Sequence, residues 1–184
     1  RKGYCRKGNK ESKDWKIYEL STLDIHKLTM NKSYLSNPCK LNKQHSVQYP
    51  EKPLPIDPYT LGLLLGDGSI VKSTNSKVPI TQLPEDMEEI SKYIPYTIHK
   101  HNTRRNVDYV IDIPNCRDIF TELELIDKRS GDKFIPDIYK YNSENNRLSV
   151  LNGLLDTDGT ISKDYGVIEF SSKSIRLIQD TAWL

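Results

Sequence analysis

Two short apolar runs stand out in the hydrophobic pattern of the chain, and both end in the same way. The first covers residues 60–68 (TLGLLLGDG) and the second covers residues 151–159 (LNGLLDTDG). Each run has an internal glycine and closes with a small residue, an aspartate and a glycine. Such a repeat inside one chain indicates two copies of one structural unit. The runs predict two apolar helices, the first capped by Asp57 with Pro58 as its first helical residue.

Small residues predict that these two helices pack on each other. Gly62 and Gly66 are four residues apart and therefore share a face of the first helix. Gly153 and Thr157 repeat the spacing in the second helix. Small side chains let two backbones approach more closely than the usual ~8–10 Å between helix axes. The last glycine of each run is expected to adopt a positive φ and to end its helix. Taken singly, each run also fits an ordinary buried helix that ends at a glycine.

An aspartate lies at the end of each predicted helix. Asp67 ends the first run and Asp158 ends the second, 91 residues later. A carboxylate at a helix C-terminus faces the negative end of the helix dipole, which is the unfavourable end. Stability alone therefore does not explain the two acids, whereas a divalent cation between them would. Packing of the helices should bring both carboxylates to one end of the pair.

The pattern elsewhere predicts alternating strands and helices. Between the two runs, the predicted strands are 69–71, 78–83, 96–100 and 107–113. The predicted helices are 85–93 and 115–125, the second of them capped by Asn115. The second run extends back to a cap at Ser143. It is followed by strands at 160–161 and 167–170 and by a helix that is capped by Ser174 and reaches Leu184. This order is αββαββα, then a second copy without its last two strands. Antiparallel strands connected in this way form a saddle-shaped sheet with one face on the core.

Charge and proline positions divide the chain. Residues 1–50 hold eleven Lys and Arg against four Asp and Glu, whereas the rest holds sixteen against twenty-one. Four prolines in residues 50–58 predict a stiff linker after this basic segment. We therefore expect three parts, which are a basic N-terminal segment at 1–50, a first repeat at 51–142 and a second, incomplete repeat at 143–184.

The basic segment is a candidate for contacts to a polyanion. Residues 1–14 have no periodicity and predict an irregular arm, with Lys2, Arg6 and Lys7 as candidate phosphate contacts. Strands are predicted at 15–20 and 44–49, and a short helix is predicted from Ser21 or Thr22 to Leu28. The Tyr and Trp residues among these lysines suit stacking contacts or, equally, a small satellite core. A solvated basic arm is the alternative.

A second basic cluster lies on the predicted hairpin around residue 103. Lys100, Arg104 and Arg105 are candidate DNA contacts there, together with His99 and His101. A solvated basic loop explains the same cluster equally well.

Composition narrows the class of protein further. The chain of 184 residues is 36 % hydrophobic with a mean hydropathy of −0.64. No apolar run approaches the ~20 residues that span a bilayer, and no secretory signal pattern begins the sequence. The three cysteines are widely spaced and form no CxxC pair, which argues against a zinc site and for a reducing compartment. We expect an intracellular protein, in the cytoplasm or the nucleoid or nucleus.

Taken together, the two runs resemble the LAGLIDADG motif of homing endonucleases, with Asp67 and Asp158 at its final acidic position. The resemblance covers about residues 51–184. It implies an α+β fold of tandem pseudo-twofold αββαββ repeats, with saddle-shaped antiparallel sheets and two packed motif helices, the second repeat being truncated. It also implies cleavage of both strands of a long, asymmetric double-stranded DNA site, with Mg²⁺ or Mn²⁺ as cofactor.

Further residues resemble the members of this family that inteins carry. Residues 133–136 (KFIP) are similar to a K-x-I-P block between the two motifs. In that family the lysine lies beside the metals, which implies a catalytic role for Lys133; without the resemblance, a surface lysine before a proline turn is the simpler interpretation. Residues 54–59 are similar to the linker that leaves the splicing domain.

The splicing residues of an intein, an N-terminal Cys or Ser block and a C-terminal His-Asn, are not found. Residues 1–50 therefore fit either the remnant of a splicing domain or a DNA-recognition module. A second chain that supplies the missing strands or splicing blocks is an expected partner.

The candidate metal site combines Asp67 and Asp158 with the backbone carbonyls of Gly66 and Thr157, since hard cations take oxygen ligands. The alternative to an endonuclease is a DNA- or RNA-binding module, or an intein remnant, that has lost cleavage. The presence of both acids favours the enzyme.

Overall fold

The computed structural model describes residues 2–5, 16–19, 21, 23–24, 26–27, 40–41, 46–71, 76–102, 107–162 and 166–184. The chain divides into two compact units, residues 1–46 and residues 47–184. Four of the predicted DNA contacts lie outside the described residues: Arg6, Lys7, Arg104 and Arg105.

The first unit contains a small antiparallel sheet. Its strands are β1 (Lys2–Cys5), β2 (Lys16–Glu19) and β3 (Lys40–Leu41), in the order β2-β1-β3. The predicted strand at 15–20 is thus confirmed by β2. The prediction of an irregular arm is wrong for Lys2–Cys5, because these residues form the central strand and pair with β2 in the register Gly3 to Tyr18.

The described residues of the second unit include six α-helices. They are α1 (Pro58–Gly66), α2 (Pro84–Ile90), α3 (Cys116–Glu122), α4 (Asp137–Lys140), α5 (Glu144–Asp158) and α6 (Ile175–Trp183), with a 3₁₀ turn at Ser91–Tyr93. Three predicted caps are confirmed. The Asp57 carboxylate accepts from the Thr60 amide at 2.8 Å, and the hydroxyls of Ser143 and Ser174 cap α5 and α6.

The prediction that the Asn115 side chain caps α3 is wrong. Asn115 precedes the helix in a left-handed conformation with φ 54°, and its side chain makes no capping bond. Its backbone carbonyl instead accepts from the amides of Asp118 and Ile119 at 3.1 Å. Asparagine tolerates this backbone conformation better than most residues.

Two antiparallel sheets complete the second unit. One has the order β4-β6-β5, formed by β4 (Lys77–Thr81), β5 (Thr97–Asn102) and β6 (Val107–Asp112), and the other pairs β7 (Gly159–Ile161) with β8 (Ile168–Phe170). Val78, Ile80 and Ile111 are fully buried on one face of the larger sheet, and Lys77 on the other face is exposed. The protein is therefore an α+β protein with antiparallel sheets.

The predicted strand at 69–71 is wrong. Only Gly68 forms an isolated bridge, to Ile80, and the Ser69 amide donates to the Pro79 carbonyl at 2.9 Å. The Ile70 carbonyl accepts from the Asp127 amide at 3.0 Å, so a loop after α3 takes the bond that a longer ladder would use.

The central element of the core is α1. All residues from Tyr59 to Leu65 are buried, and α1 packs along α5 more extensively than any other two of the described elements pack on each other. Helix α5 is buried only on the face that carries Arg147, Val150, Gly153 and Leu154. Among the described residues, no helix is both long and apolar enough to cross a membrane.

The elements after each motif helix correspond in sequence. Helix α2 begins at Pro84 and α6 begins at Ile175, so they are 91 residues apart, as Asp67 and Asp158 are. The short sheet pairings also correspond, because Gly68 bridges to Ile80 and Gly159 pairs with Phe170. The connection after α5 is therefore one residue shorter than the connection after α1.

Candidate active site

Glycines in the middle of α1 and α5 bring the two helices into backbone contact. A Cβ on Gly62 would lie 2.3 Å from the Val150 carbonyl oxygen, and a Cβ on Gly153 would lie 2.2 Å from the Tyr59 carbonyl oxygen. Real Cβ atoms do not come this close to backbone, so neither position accepts a side chain without a shift of the helices. The predicted helix interface is present at these residues.

The interface continues to the ends of the helices. A Cβ on Gly66 would lie 2.0 Å from the Thr157 hydroxyl, so the threonine occupies the space that the glycine leaves. The same hydroxyl donates to the Gly153 and Leu154 carbonyls at 3.2 and 3.0 Å. Both predicted small residues thus fix the distance between the helix ends.

The glycines that follow the acids end the helices by a different mechanism from the predicted one. Gly159 has φ −88°, and Gly68 has no positive φ either. A Cβ on Gly68 would lie 2.6 Å from the Leu64 carbonyl oxygen, and one on Gly159 would lie 2.2 Å from that of Leu155. The chain turns so tightly against the last helical turn that a side chain has no room.

Asp67 and Asp158 lie in one cleft at this end of the helix pair. The cleft has a volume of about 370 Å³ and is lined by Leu65, Gly66, Asp67, Ser130, Lys133, Asp158, Ser171, Ser172 and Lys173. Asp67 follows α1 directly, and Asp158 is the last residue of α5. The structure therefore brings together two acids that are 91 residues apart in sequence.

The two carboxylates influence each other electrostatically. Partial burial in the cleft raises the pKa of Asp67, and the negative charge of Asp158 raises it further. Partial burial likewise raises the pKa of Asp158. The Lys133 ammonium lowers the pKa of both acids. The Gln82 amide, which donates to Asp67 Oδ2 at 2.7 Å, lowers the pKa of Asp67 as well. Paired, partly desolvated acids with a shared cation are typical of functional sites.

Lys133 is the third charged group of the site, and it is nearly inaccessible, with 6 % of its surface exposed. Its Nζ donates to three backbone carbonyls at the end of α1: Leu64 at 3.2 Å and Gly66 and Gly68 at 2.9 Å. Burial lowers the pKa of Lys133, and the charges of Asp158 and Asp67 oppose this shift. The ammonium therefore satisfies helix-end carbonyls and partly compensates the acid pair.

The donor atoms of the cleft fit a hard divalent cation. Mg²⁺ is commonly held by one or two carboxylates, with water and substrate phosphate completing its coordination. Asp67 and Asp158 supply two carboxylates beside an open cleft, although the described residues contain no cluster of three or more His, Cys, Asp or Glu. The Gly66 carbonyl already accepts from Lys133, so a metal would need its second lone pair.

Sequence reasoning missed several residues that surround the acids. Gln82 lies two residues before α2, and Lys173 lies two residues before α6. Gln82 bonds to Asp67, and Lys173 lines the cleft that contains Asp158. Each lies 15 residues after one of the two acids, and this equal spacing was visible in the sequence.

The predicted basic cluster on the hairpin does not share one face of the sheet. Lys100 pairs with Tyr109, whose side chain is buried, whereas His99 pairs with Val110 and therefore points to the opposite face. His99 Nε2 lies 4.0 Å from Asp112 Oδ2 on that outer face. Lys2 lies on β1 in the first unit.

Two packed helices that each end in an acid define a class of protein with a composite acidic site. A family model described as a LAGLIDADG-like domain matches residues 145–184, which include α5, β7, β8 and α6. The chain therefore carries a domain of the LAGLIDADG homing endonuclease type.

The chain is also similar to a curated relative named replicative DNA helicase DnaB, from Mycobacterium intracellulare. The two are 31 % identical over 140 residues, which cover 76 % of this chain and 20 % of the helicase. This chain thus spans about a fifth of the length of that relative.

Proposed function

We propose that this protein is a site-specific homing endonuclease that breaks both strands of DNA by divalent-metal-dependent hydrolysis of phosphodiester bonds. The observation that carries the proposal is the joining of Asp67 and Asp158 in one cleft by two motif helices in backbone contact. The match of residues 145–184 to a LAGLIDADG-like domain supports it.

Asp67 and Asp158 would hold the cation, Mg²⁺ or Mn²⁺, with the carbonyls of Gly66 and Thr157 as further ligands. When bound, the cation supplies an activated water and stabilises the leaving 3′ oxygen. The ammonium of Lys133 stays in place through its three carbonyl partners and contributes positive charge beside the scissile phosphate. Gln82 orients the Asp67 carboxylate through its hydrogen bond.

We further propose that the second unit is built from tandem pseudo-twofold repeats. The equal spacing of the helix starts and the reciprocal contacts of Gly62 and Gly153 support this. Ile70 is 3 % exposed in the first repeat, whereas Ile161, 91 residues later, is 66 % exposed. A β-hairpin equivalent to β5–β6 would cover this apolar surface of the second repeat.

Double-stranded DNA is the proposed substrate and partner. The outer face of the β4-β6-β5 sheet carries polar side chains such as Lys77, Thr97 and His99, and an antiparallel ribbon of this kind fits the major groove of DNA. The similarity to a helicase supports an intein as the genetic context, because a nuclease segment inserted in a helicase sequence is what an intein would produce.

The second candidate is a DNA- or RNA-binding module that no longer cleaves. One observation favours it: each proton of the Lys133 ammonium has a carbonyl acceptor in α1 or directly after it, which is what a purely structural helix-end cation would show. In this case Asp67 and Asp158 would bind no catalytic metal.

One experiment separates the two functions. The probe is duplex DNA made from the coding sequence of the helicase relative with the whole inserted segment removed, including the shared 140 residues, so that it contains the uninterrupted junction. Binding is measured by gel shift in Ca²⁺, and cleavage is measured in Mg²⁺ and in EDTA. Asp67→Asn and Asp158→Asn should each abolish cleavage and keep binding, because a neutral amide is a poor ligand for a hard cation.

Asp156→Asn is the matched control. Asp156 is also an acid at the end of α5, but it accepts from the Tyr59 hydroxyl at 2.6 Å and does not line the cleft. This variant should cut as the wild type does. Binding without cleavage by the wild type would establish the binding module, and wild-type cutting by Asp67→Asn would place the active centre elsewhere.

A further inference from the structure

Helix α6 binds the segment that carries Lys133. The Ser174 hydroxyl donates to the Lys133 carbonyl at 2.6 Å. The oxygen of the Ser174 hydroxyl also accepts from the Leu177 amide at 3.1 Å. Ser174 is fully buried. One hydroxyl thus caps α6 and ties the helix to the backbone of Lys133.

A second tie to this segment lies further along α6. Asp180, which is 8 % exposed, accepts from the Ile135 amide at 3.0 Å and from Lys140 Nζ at 2.8 Å. Between Ser174 and Asp180, the Arg176 guanidinium lies 3.8 Å from the centre of the Phe134 ring. Three successive residues, 133 to 135, are therefore each contacted by a side chain of α6 or of its cap.

Lys133 is held from two sides as a result. Its backbone is fixed to α6, and its ammonium is fixed to the end of α1. Hydrogen bonds at a buried backbone position restrict where a long side chain can reach, because the chain of four methylenes starts from a fixed Cα. The position of the ammonium relative to Asp67 and Asp158 therefore depends on α6.

We infer that Ser174 and Asp180 are positioning residues for Lys133, and that α6 of the second repeat thereby adjusts the site that the motif helices form. The effect on cleavage rests on the proposed function. The effect on the placement of the lysine does not rest on it.

Two substitutions at Ser174 separate positioning from helix capping. Glycine is a tolerated N-cap, whereas alanine is a poor one. Both remove the bond to the Lys133 carbonyl. Ser174→Gly should therefore release Lys133 and lower the melting temperature less than Ser174→Ala does, because only the alanine variant also has a poor N-cap. Thr181→Ala is the matched control, because the Thr181 hydroxyl donates to the Leu177 carbonyl within α6 and not to residues 133–135.

The primary readout is the rate at which the amine of Lys133 is acetylated by acetic anhydride in the full chain, measured by mass spectrometry. The exposed Lys92, which pairs with Glu89, serves as the internal reference. Removal of one buried hydrogen bond should raise the relative rate at Lys133 roughly 2- to 10-fold in Ser174→Gly. Asp180→Ala should act in the same direction, and Asp180→Asn should restore most of the protection, since an amide oxygen still accepts from Ile135.

The same variants are then assayed for DNA affinity and cleavage. Positioning predicts a slower cleavage step at unchanged affinity in Ser174→Gly and Asp180→Ala, with Thr181→Ala cutting normally. Unchanged acetylation of Lys133 in Ser174→Gly overturns the inference. Faster acetylation with normal cleavage also overturns it as a statement about catalysis. Faster acetylation in a protein whose wild type never cuts supports the placement by α6 and removes the proposed function instead.

Discussion

Gly62 of α1 and Gly153 of α5 contact each other where the two helices pack. The Cα of each glycine is 3.0 Å from the position that a Cβ of the other would take. Their remaining contacts are reciprocal, since Gly62 faces the Val150 carbonyl and Gly153 faces the Tyr59 carbonyl, each three residues before the opposite glycine. The helices that end in the two acids are therefore held in register by backbone contact.

Adding a single methyl group between these glycines should destabilise the protein strongly. Gly62→Ala and Gly153→Ala each place a Cβ against backbone that cannot rotate away, so the cost should reach or exceed the ~1–3 kcal/mol of core overpacking. Urea unfolding followed by circular dichroism measures it. Gly131→Ala is the control, because its Cβ would meet nothing within 4 Å. Equal stability of all three variants would remove the packing argument.

Replacing Lys133 by Met should destabilise the fold even without DNA. The variant keeps the length of the apolar stem but leaves the carbonyls of Leu64, Gly66 and Gly68 without their donor. A buried acceptor that loses its partner costs about 1–3 kcal/mol. Chemical denaturation at neutral pH measures the decrease, with Lys92→Met as the exposed control, whose side chain is 55 % accessible. A decrease in stability confined to Lys92→Met would contradict the capping role.

The raised pKa values of the acids predict how stability depends on pH. The pKa of Asp158 in the folded protein is higher than its ordinary value of 3.8. In the pH window above 3.8, the folded state therefore binds more protons than the unfolded state. The free energy of unfolding should therefore fall as the pH rises through this window, with Asp67 contributing in the same direction. Asp158→Asn should be more stable than the wild type at pH 7 in EDTA, and this advantage should shrink towards pH 4.

Mg²⁺ provides the matched test for this pH effect. A ligand that binds only the folded state stabilises it, so Mg²⁺ at pH 7 should stabilise the wild type and leave Asp158→Asn unchanged. Unfolding curves at several pH values, with EDTA or Mg²⁺, measure both effects. If the wild type were more stable than Asp158→Asn in EDTA at pH 7, the charge of the Asp158 carboxylate would not destabilise the folded protein.

The contribution of the basic N-terminal segment should appear in the salt dependence of DNA binding. The slope of log affinity against log salt becomes shallower by ~0.9 for each phosphate that the protein no longer neutralises. Deletion of residues 1–14 would also remove β1, the central strand of its sheet, so substitutions are the better test. Arg6→Gln with Lys7→Gln should lower the slope without changing which sequence is preferred. A slope equal to that of the wild type would indicate a solvated segment.

The sequence by itself determined the parts of the protein that follow local rules. The glycine spacing of 60–68 and 151–159 was sufficient to predict two packed helices, because a four-residue spacing places small residues on one helix face. The caps at Asp57, Ser143 and Ser174 were predictable because a side chain and its amide partner are three residues apart. The repeat itself was sufficient to predict that Asp67 and Asp158 meet.

Only the tertiary structure decided which distant groups meet across the interior. Lys133 Nζ bonds to carbonyls 65 to 69 residues earlier, and the Lys133 carbonyl bonds to Ser174, 41 residues later. The periodicity of the sequence does not predict these hydrogen bonds, because they depend on how separately predicted elements pack against each other. The prediction of a strand at residues 69–71 is wrong for the same reason. The Ile70 carbonyl accepts from the Asp127 amide and not from a neighbouring strand. Local rules thus placed the acids of the candidate site, and long-range packing placed Lys133 in the same cleft.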